Sequence, residues 1–427
     1  MTKANEQFMR RALELARQGL GAVEPNPMVG AVIVRDGRVL CEGWHRRFGG
    51  PHAEIEAFAA ATAGGLDIRG ATMYVTLEPC NHHGKTPPCT EAIIAAGIVR
   101  VVAAMEDPDE LVAGRGIAKL RAAGIEVETG LREAEARELL AAYVKLRTRK
   151  RPWVICKWAQ TADGRLALPA GLGPPGGSER WISGEKSRAM VHELRSYCDG
   201  ICVGSGTVLA DDPLLTNRAG RGRQPTRVVL DGQLRTPPGS RLIATASASS
   251  PVLLATTAHA LEVQAASAGL LARQGVEFLA LPAGARGGVS LGALLDELGR
   301  RKWTRLLVEG GPTVLQRVIS EHLADELWVF ISPHAAHQAA AGAAMANGAE
   351  MANGAEMADG AKMADGAKMA DGAKMADGAA APEAEPGSSP AEELPRLDIR
   401  DLQAAGHLPQ PRHMKVGPDT LLTFRLT

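Results

Sequence analysis

The chain has 427 residues, more than the about 100 to 200 of one ordinary compact unit, which excludes a single small fold. Its 45% hydrophobic and 22% charged content is close to average globular usage and excludes wholesale disorder. Lysine plus arginine equals aspartate plus glutamate at 48 each, so the basic footprint of a duplex-binding protein is missing and no nucleic-acid partner is expected.

Residues 1–19 mix charged and apolar side chains at helical spacing, and no apolar run reaches the roughly 18 residues of a membrane span. The expectation is a soluble cytoplasmic protein without a membrane partner. Six cysteines, Cys41, Cys80, Cys89, Cys156, Cys198 and Cys202, are too sparse for a disulfide scaffold and divide into buried thiols and candidate metal ligands.

In chain order, the spacing predicts a helix over 6–18, a hairpin of strands 29–34 and 39–42, and a helix over 53–63. The hairpin turns on Asp36-Gly37, a dipeptide that tolerates positive φ. A strand over 72–77, a helix over 91–96, a strand over 100–104, a helix over 116–122 and a strand over 125–128 follow, an alternation that lays helices on a sheet. A charged helix-prone stretch, 131–149, ends at Arg151-Pro152, where an apolar strand over 153–157 opens. The boundary falls there, giving domains 1–147 and 150–427. Further α/β signals are a helix over 185–196, strands over 199–203, 227–231 and 252–255, a helix over 291–299, a strand over 305–309, a helix over 313–322 and a strand over 326–331. Residues 345–380 are six hexapeptides of the type MANGAE, MADGAK and MADGAA, too short a repeat for a solenoid, with a glycine in each unit working against helix. They read as part of a disordered low-complexity insertion at about 335–393. A closing strand over 422–426 returns to the second domain.

The chemistry concentrates in two places. His52-Ala53-Glu54 stands at a helix start, and Pro79-Cys80 is followed by Cys89 at a strand end. One imidazole and two thiolates form a three-ligand zinc set that leaves the fourth tetrahedral position for water. Glu54 is placed to carry a proton from that water to a leaving amine. His-x-Glu followed by Pro-Cys and a second cysteine is the pattern of zinc nucleobase deaminases, although here eight residues rather than two separate the cysteines. A structural zinc site is the bland alternative, and three ligands without a fourth favour catalysis. His82, His83 and Lys85 crowd the intervening loop, where they are expected to contact an anionic substrate; the alternatives are that His82 and His83 compete for zinc, or that the three form a solvated turn.

At these residues the chain resembles the amino-terminal deaminase of the bifunctional riboflavin-biosynthesis proteins of the RibD type. The resemblance rests on Pro25-Asn26-Pro27-Met28-Val29-Gly30, on His52-Ala53-Glu54 and on the long loop ending Thr86-Pro87-Pro88-Cys89. It implies a cytidine-deaminase-like α/β/α domain acting on a phosphorylated diaminopyrimidinone, with Asn26 holding the ring; the plain alternative for Asn26 is a turn residue between two prolines.

The second place has no Gly-x-Gly-x-x-Gly. Gly204-Ser205-Gly206-Thr207 and Gly310-Gly311-Pro312-Thr313 stand at strand ends before helices, where glycines let backbone amides approach a phosphate, although plain turn geometry produces the same pattern. Lys157 to Gly164, Trp181-Ile182-Ser183, Gly204 to Pro213 and Val308 to Thr313 resemble, in this order, the reductase half of the same family. That resemblance implies a dihydrofolate-reductase-like α/β domain using NADPH, which reduces the ribosyl group to ribityl, and a homodimer. Gln160, Trp181, Thr207, Asp211, Gly311, Pro312, Thr313, Val314, Leu315, Gln316 and Arg317 would hold the cofactor, and Arg195, Leu215, Arg218 and Glu309 the substrate. Arginine offers a planar fork for phosphate, which suits Arg195 and Arg218. The chain departs from the family at Glu179, where a small hydroxyl residue is expected, and at Gly232, where serine is common. The rival readings are a zinc deaminase with a redox-inactive second half, a tRNA-type deaminase, and a scaffold built on the repeat.

Overall fold

The computed structural model describes residues 3–81, 87–110, 112–166, 182–285, 287–333, 397–406 and 408–426. The hexapeptide repeat, the insertion around it, and His82, His83, Lys85, Glu179 and Trp181 lie outside these residues.

Alternating apolar and glycine residues in the first third build a five-stranded sheet. It comprises β1 (Gly30–Arg35), β2 (Arg38–Trp44), β3 (Thr72–Val75), β4 (Arg100–Ala103) and β5 (Glu126–Thr129), in the order β2-β1-β3-β4-β5. β2 and β3 pair antiparallel with β1, and β3, β4 and β5 are mutually parallel. The β1–β2 hairpin turns on Asp36 and Gly37 at φ 51° and 71°, the double positive φ that a right-twisted two-residue turn requires. The inner strands are buried on both faces. Val32, Val34, Tyr74 and Val102 pack under Met9, Leu13, Leu140 and Tyr143 on one side. Ala31, Ile33, Met73 and Val101 pack under Ala57, Ile93, Ile117 and Leu120 on the other. The stretch 131–149 is two helices, Glu133–Leu139 and Ala141–Arg149, separated at Leu140 where ψ opens to 9°.

The remainder builds a nine-stranded sheet from β6 (Trp153–Gln160), β7 (Gly200–Gly204), β8 (Thr226–Leu230), β9 (Val252–Thr256), β10 (Val276–Ala280), β11 (Arg305–Val308), β12 (Glu326–Ile331), β13 (Arg412–Val416) and β14 (Asp419–Arg425). Their order is β10-β9-β8-β7-β11-β6-β12-β14-β13, parallel from β10 to β12 and antiparallel from there to β13. Near-continuous apolar runs such as Ile201-Cys202-Val203 and Leu306-Leu307-Val308 suit strands covered on both faces. One face buries Val154, Cys156, Cys202 and Val228, the other Ile155, Ile201, Val203 and Val229. Cys156, Cys198 and Cys202 are packing residues inside these cores, and burial pushes their thiols up.

The α/β architecture expected from the alternation is present, and the closing strand is β14, paired with β12. Among the described residues six elements have no counterpart in the expectations: β10, β13 and the helices Arg241–Ala244, Ala258–Val263, Ala265–Arg273 and Ile399–Ala404. β10 and β13 are the edges, and all of β13 except Val416 is exposed. A strand that buries almost nothing carries no apolar alternation to read, and its Arg412, His413 and Lys415 suit an edge that must not recruit another strand. Among the described residues no helix is long and apolar enough to cross a membrane.

Candidate functional site

The helix Ala53–Ala63 is alanine-rich and lies tight on β2, because Gly43 has no side chain where a Cβ would stand 2.3 Å from the Ala57 nitrogen. His52 is the extended residue just before that helix, at φ −74° and ψ 165°. Cys80 follows β3, and Cys89 opens the helix Cys89–Ala95 after Pro88. These ends converge. His52 Nδ1 lies 3.5 Å from Cys80 Sγ and 3.3 Å from Cys89 Sγ, and the three donor atoms fall within 4.8 Å of one another. Tetrahedral zinc with nitrogen at about 2.0 Å and sulfur at about 2.3 Å holds its donors about 3.5 Å apart, so the set fits that ion. The Cys89 amide also donates to Cys80 Sγ at 3.4 Å. The hydrogen bond from Cys89 holds the Cys80 thiol down at about 4 against burial, and His52 adds to that. Cys80 and burial together push the Cys89 thiol up, and binding a divalent cation would require both thiols to lose their protons.

Glu54, in the first turn of the helix, is buried with Ala53 and Ala57, and burial pushes its carboxyl above the ordinary range. Two residues not singled out in the sequence brace the centre. Glu78, two positions before Cys80, is buried and accepts from the amides of Asp107, Gly114, Gly116 and Ile117 at 2.8 to 3.2 Å. This pins Pro79-Cys80 to the following loop, and Gly116 must be glycine because a Cβ would stand 2.1 Å from the Pro79 oxygen. His45, also buried, has Nδ1 2.8 Å from the Pro51 oxygen and Nε2 3.3 Å from Asn26 Nδ2, and its ring meets His52 edge-on at 5.5 Å. Asn26 therefore reaches the metal centre through His45. No sequence signal marks His45; the Pro-Cys that follows Glu78 marks the place but not the role.

The second site is a cavity of about 980 Å³, at the upper end of ligand pockets, which run about 300–1,000 Å³. It opens at the carboxyl ends of β7, β8 and β11, where open parallel sheets bind ligands. Its walls include Thr207, Asp211, Gly311, Pro312, Thr313, Val314 and Arg317, with Arg195, Arg218 and Glu309. The glycines are required by space. A Cβ on Gly310 would stand 2.7 Å from Val314 Cβ, and one on Gly204 would stand 2.9 Å from Val314 Cγ2. Thr207 Oγ1 accepts from the Gly311 amide at 3.1 Å and ties the two glycine turns together.

Charge in the cavity is strongly positive: Lys157, Arg188, Arg195, Arg218, Arg235 and Arg317 face Asp211 and Glu309. Arg195 grips Glu309 with two hydrogen bonds of 2.7 and 3.0 Å, and Lys157 Nζ lies 3.7 Å from the same carboxylate. Burial opposes ionisation of Glu309, but Arg195 and Lys157 outweigh it and hold the carboxyl at about 2. Burial, then Arg195 and Arg218, push His192 down to about 4. Its nitrogens each lie 3.3 Å from an Arg218 donor, and a neutral ring accepts at one of them.

Four residues of the expected set do not reach this cavity. The Gln160 side chain is buried and spent on Trp158, Asp398 and Ile399. Leu215 and Leu315 are core residues, and Gln316 is exposed on the outer face of its helix. Proximity along the chain to a glycine turn does not aim alternate helical side chains at one place. Arg188, His192 and Arg235 line the cavity without having been singled out.

A five-stranded α/β layer carrying two cysteine sulfurs, an imidazole and a buried glutamate defines a zinc-type deaminase, joined here to a cavity-bearing, mostly parallel sheet. Residues 2–105 match the model of the cytidine and deoxycytidylate deaminase zinc-binding region, and residues 152–337 that of the RibD C-terminal domain. The chain is 41% identical over 330 residues to the riboflavin biosynthesis protein RibD of Aquifex aeolicus, covering 77% of this chain and 87% of that one. It is 41% identical over 332 residues to the RibD of Actinobacillus pleuropneumoniae, covering 78% and 84%. A crystal structure from Thermotoga maritima, described as a diaminohydroxyphosphoribosylaminopyrimidine deaminase/5-amino-6-(5-phosphoribosylamino)uracil reductase, superposes with a TM-score of 0.70 at 33% identity, over 99% of this chain and 98% of that one. The chain belongs to the RibD family of bifunctional riboflavin-biosynthesis enzymes. Its first half is a zinc-binding deaminase domain, and its second is a reductase domain of the type that uses NADPH.

Proposed function

We propose that residues 1–147 deaminate 2,5-diamino-6-(5-phosphoribosylamino)pyrimidin-4-one to 5-amino-6-(5-phosphoribosylamino)uracil, and that residues 150–427 then reduce the ribosyl group of that product to ribityl with NADPH. The observation that carries the reading is the convergence of His52, Cys80 and Cys89 within 4.8 Å, with the buried Glu54 two positions from the histidine. These three residues would hold Zn2+, which would supply a water acidified toward neutral pH. Glu54 would serve as the proton carrier there, taking a proton at its carboxylate and giving it up to the departing ring amine. Asn26, oriented by His45, holds the pyrimidine ring, and Lys85, outside the described residues, contacts the substrate's anionic end.

In the cavity, Thr207, Asp211, Arg317 and the turn Gly311 to Val314 cradle NADPH, with Trp181 added from outside the described residues. Bound there, NADPH would supply the hydride that the ribosyl carbon needs. Arg218 and His192 receive the substrate phosphate, and the Arg195–Glu309 pair forms a fixed wall beside it. The work of this half is alignment within an enclosed, cationic site. Gln160, Leu215, Leu315 and Gln316 support these walls from outside the cavity.

Purified protein supplied with zinc, NADPH and the diaminopyrimidinone tests both halves when released ammonia and NADPH oxidation are followed separately. Ammonia without NADPH oxidation returns the second half to a binding module. Neither signal, in protein that contains zinc, removes the assignment.

A further inference from the structure

Two buried carboxylates tie the first third of the chain to the second sheet: Asp325, which takes Lys145, and Glu24. Glu24 precedes Pro25-Asn26, its side chain is 4% exposed, and Oε1 accepts from Arg305 Nη1 at 2.9 Å and from the Gly21 amide at 3.1 Å. Oε2 has no hydrogen-bond donor, and Arg223 Nη2 lies 3.9 Å from it. Arg305 is itself buried at the start of β11. Gly21 rests on Tyr197, with the position of a Cβ 3.0 Å from Tyr197 Cβ. The segment 21–26 is thus set by residues of the second sheet, and the hydrogen bond of the Asn26 amide to the Val23 oxygen at 2.9 Å closes it into a turn.

From this turn a chain of contacts runs to the metal centre. Asn26 Nδ2 meets His45 Nε2 at 3.3 Å, His45 Nδ1 meets the Pro51 oxygen at 2.8 Å, and the His45 ring abuts His52. Pro51 is the residue before the ligand His52. A side chain that must hold a ring against an attacking water tolerates little displacement, since an error of about 1 Å can cost about 100-fold. A buried carboxylate stripped of its cation has strong reason to move.

We propose that Arg305, a residue of the reductase sheet, is a positioning residue for the deaminase: through Glu24 it fixes where Asn26 stands, so the deaminase site is incomplete without the second domain. The inference rests on the deaminase reading above and on Asn26 as the ring-holding residue.

The test uses the full chain, with the diaminopyrimidinone and its deaminated product supplied in separate assays to wild type, Arg305→Met, Arg305→Lys and Glu24→Gln. Arg305→Met and Glu24→Gln are expected to raise the deaminase KM about tenfold or more, with kcat changed less and zinc content unchanged. Reduction of the deaminated product stays at the wild-type rate, which also reports that the second domain is folded. Arg305→Lys, which keeps the charge, recovers most of the loss. A deaminase KM that does not move, or equal loss of both activities in Arg305→Met without recovery in Arg305→Lys, overturns the proposal. A wild-type protein that releases no ammonia overturns the deaminase reading instead.

Discussion

Gln160 and Asp398 lie 238 positions apart in the chain, and the Gln160 amide donates to the Asp398 carboxylate at 3.2 Å. The same side chain accepts from the Ile399 amide at 3.2 Å, and the Gln160 backbone oxygen accepts from the Ser332 amide at 2.9 Å. One residue at the end of β6 therefore holds both the chain that enters residues 334–396 and the chain that leaves them. Gly164 completes the clasp, since a Cβ there would stand 2.5 Å from Asp398 Oδ2.

Because both flanks already meet at Gln160, a short glycine-serine linker in place of residues 334–396 is expected to leave ammonia release and NADPH oxidation unchanged. Steady-state assays of the deletion protein check this. A selective collapse of the reductase rate would show that the segment belongs to the active protein.

Gln160→Ala takes the acceptor away from the Trp158 indole and the Ile399 amide, while Asp398 keeps Arg400. Buried groups left in that state cost roughly 1–3 kcal/mol. Thermal unfolding is expected to register that loss, whereas NADPH titration should show an affinity close to wild type. A large fall in NADPH affinity without loss of stability would return Gln160 to the cofactor site.

His52, Cys80 and Cys89 are legible in the sequence because zinc restricts its ligands to a few residue types, and those types stand here at a helix start and a strand end. The strands of the second sheet are legible because double-sided burial writes itself as apolar runs such as Leu306-Leu307-Val308. What is not legible is where side chains aim. Arg195 and Glu309 both belong to the substrate set expected from the family resemblance, yet the structure pairs them with each other. Gln160, in the expected cofactor set, faces the clasp. His45 and Arg305 carry no motif, because their importance comes from contacts between segments up to 281 positions apart.

The division of labour at the metal centre separates binding from chemistry. Cys89→Ser removes one of three donors and is expected to abolish stoichiometric zinc and ammonia release together. Glu54→Gln leaves the donors intact, so zinc stays bound while deamination falls by about 100- to 10,000-fold. Metal analysis alongside ammonia release distinguishes the two, and zinc loss in Glu54→Gln would contradict this assignment.

Gly43 tests how the fold aims the ligands. A methyl group there meets the Ala57 nitrogen at 2.3 Å and the Ala53 oxygen at 2.4 Å, backbone atoms that move only if the whole helix moves. Gly43→Ala is expected to cost about 1–3 kcal/mol and to weaken zinc retention, because His52 and Glu54 ride on that helix. Unfolding curves and chelator competition measure the two effects; a stable protein with wild-type zinc retention would show that the helix is not what places the donors.

The acid limb of the stability curve follows from Glu309. Its carboxyl is ordinary at 4.5 and is held at about 2 by Arg195 and Lys157 against burial. A depressed folded value means that the unfolded chain binds the proton more readily, so the contribution is complete above 4.5 and is lost as pH falls toward 2. Arg195→Met removes the larger favourable partner and leaves a buried carboxylate facing Lys157 alone, a change expected to cost roughly 3–5 kcal/mol at neutral pH. It should also flatten the loss below pH 4.5, since the Glu309 carboxyl then protonates at a higher pH in the folded state. Urea unfolding of both proteins between neutral pH and the acid limb checks the sign: a variant destabilised equally at every pH would mean that Arg195 acts through packing and not through the charge of Glu309.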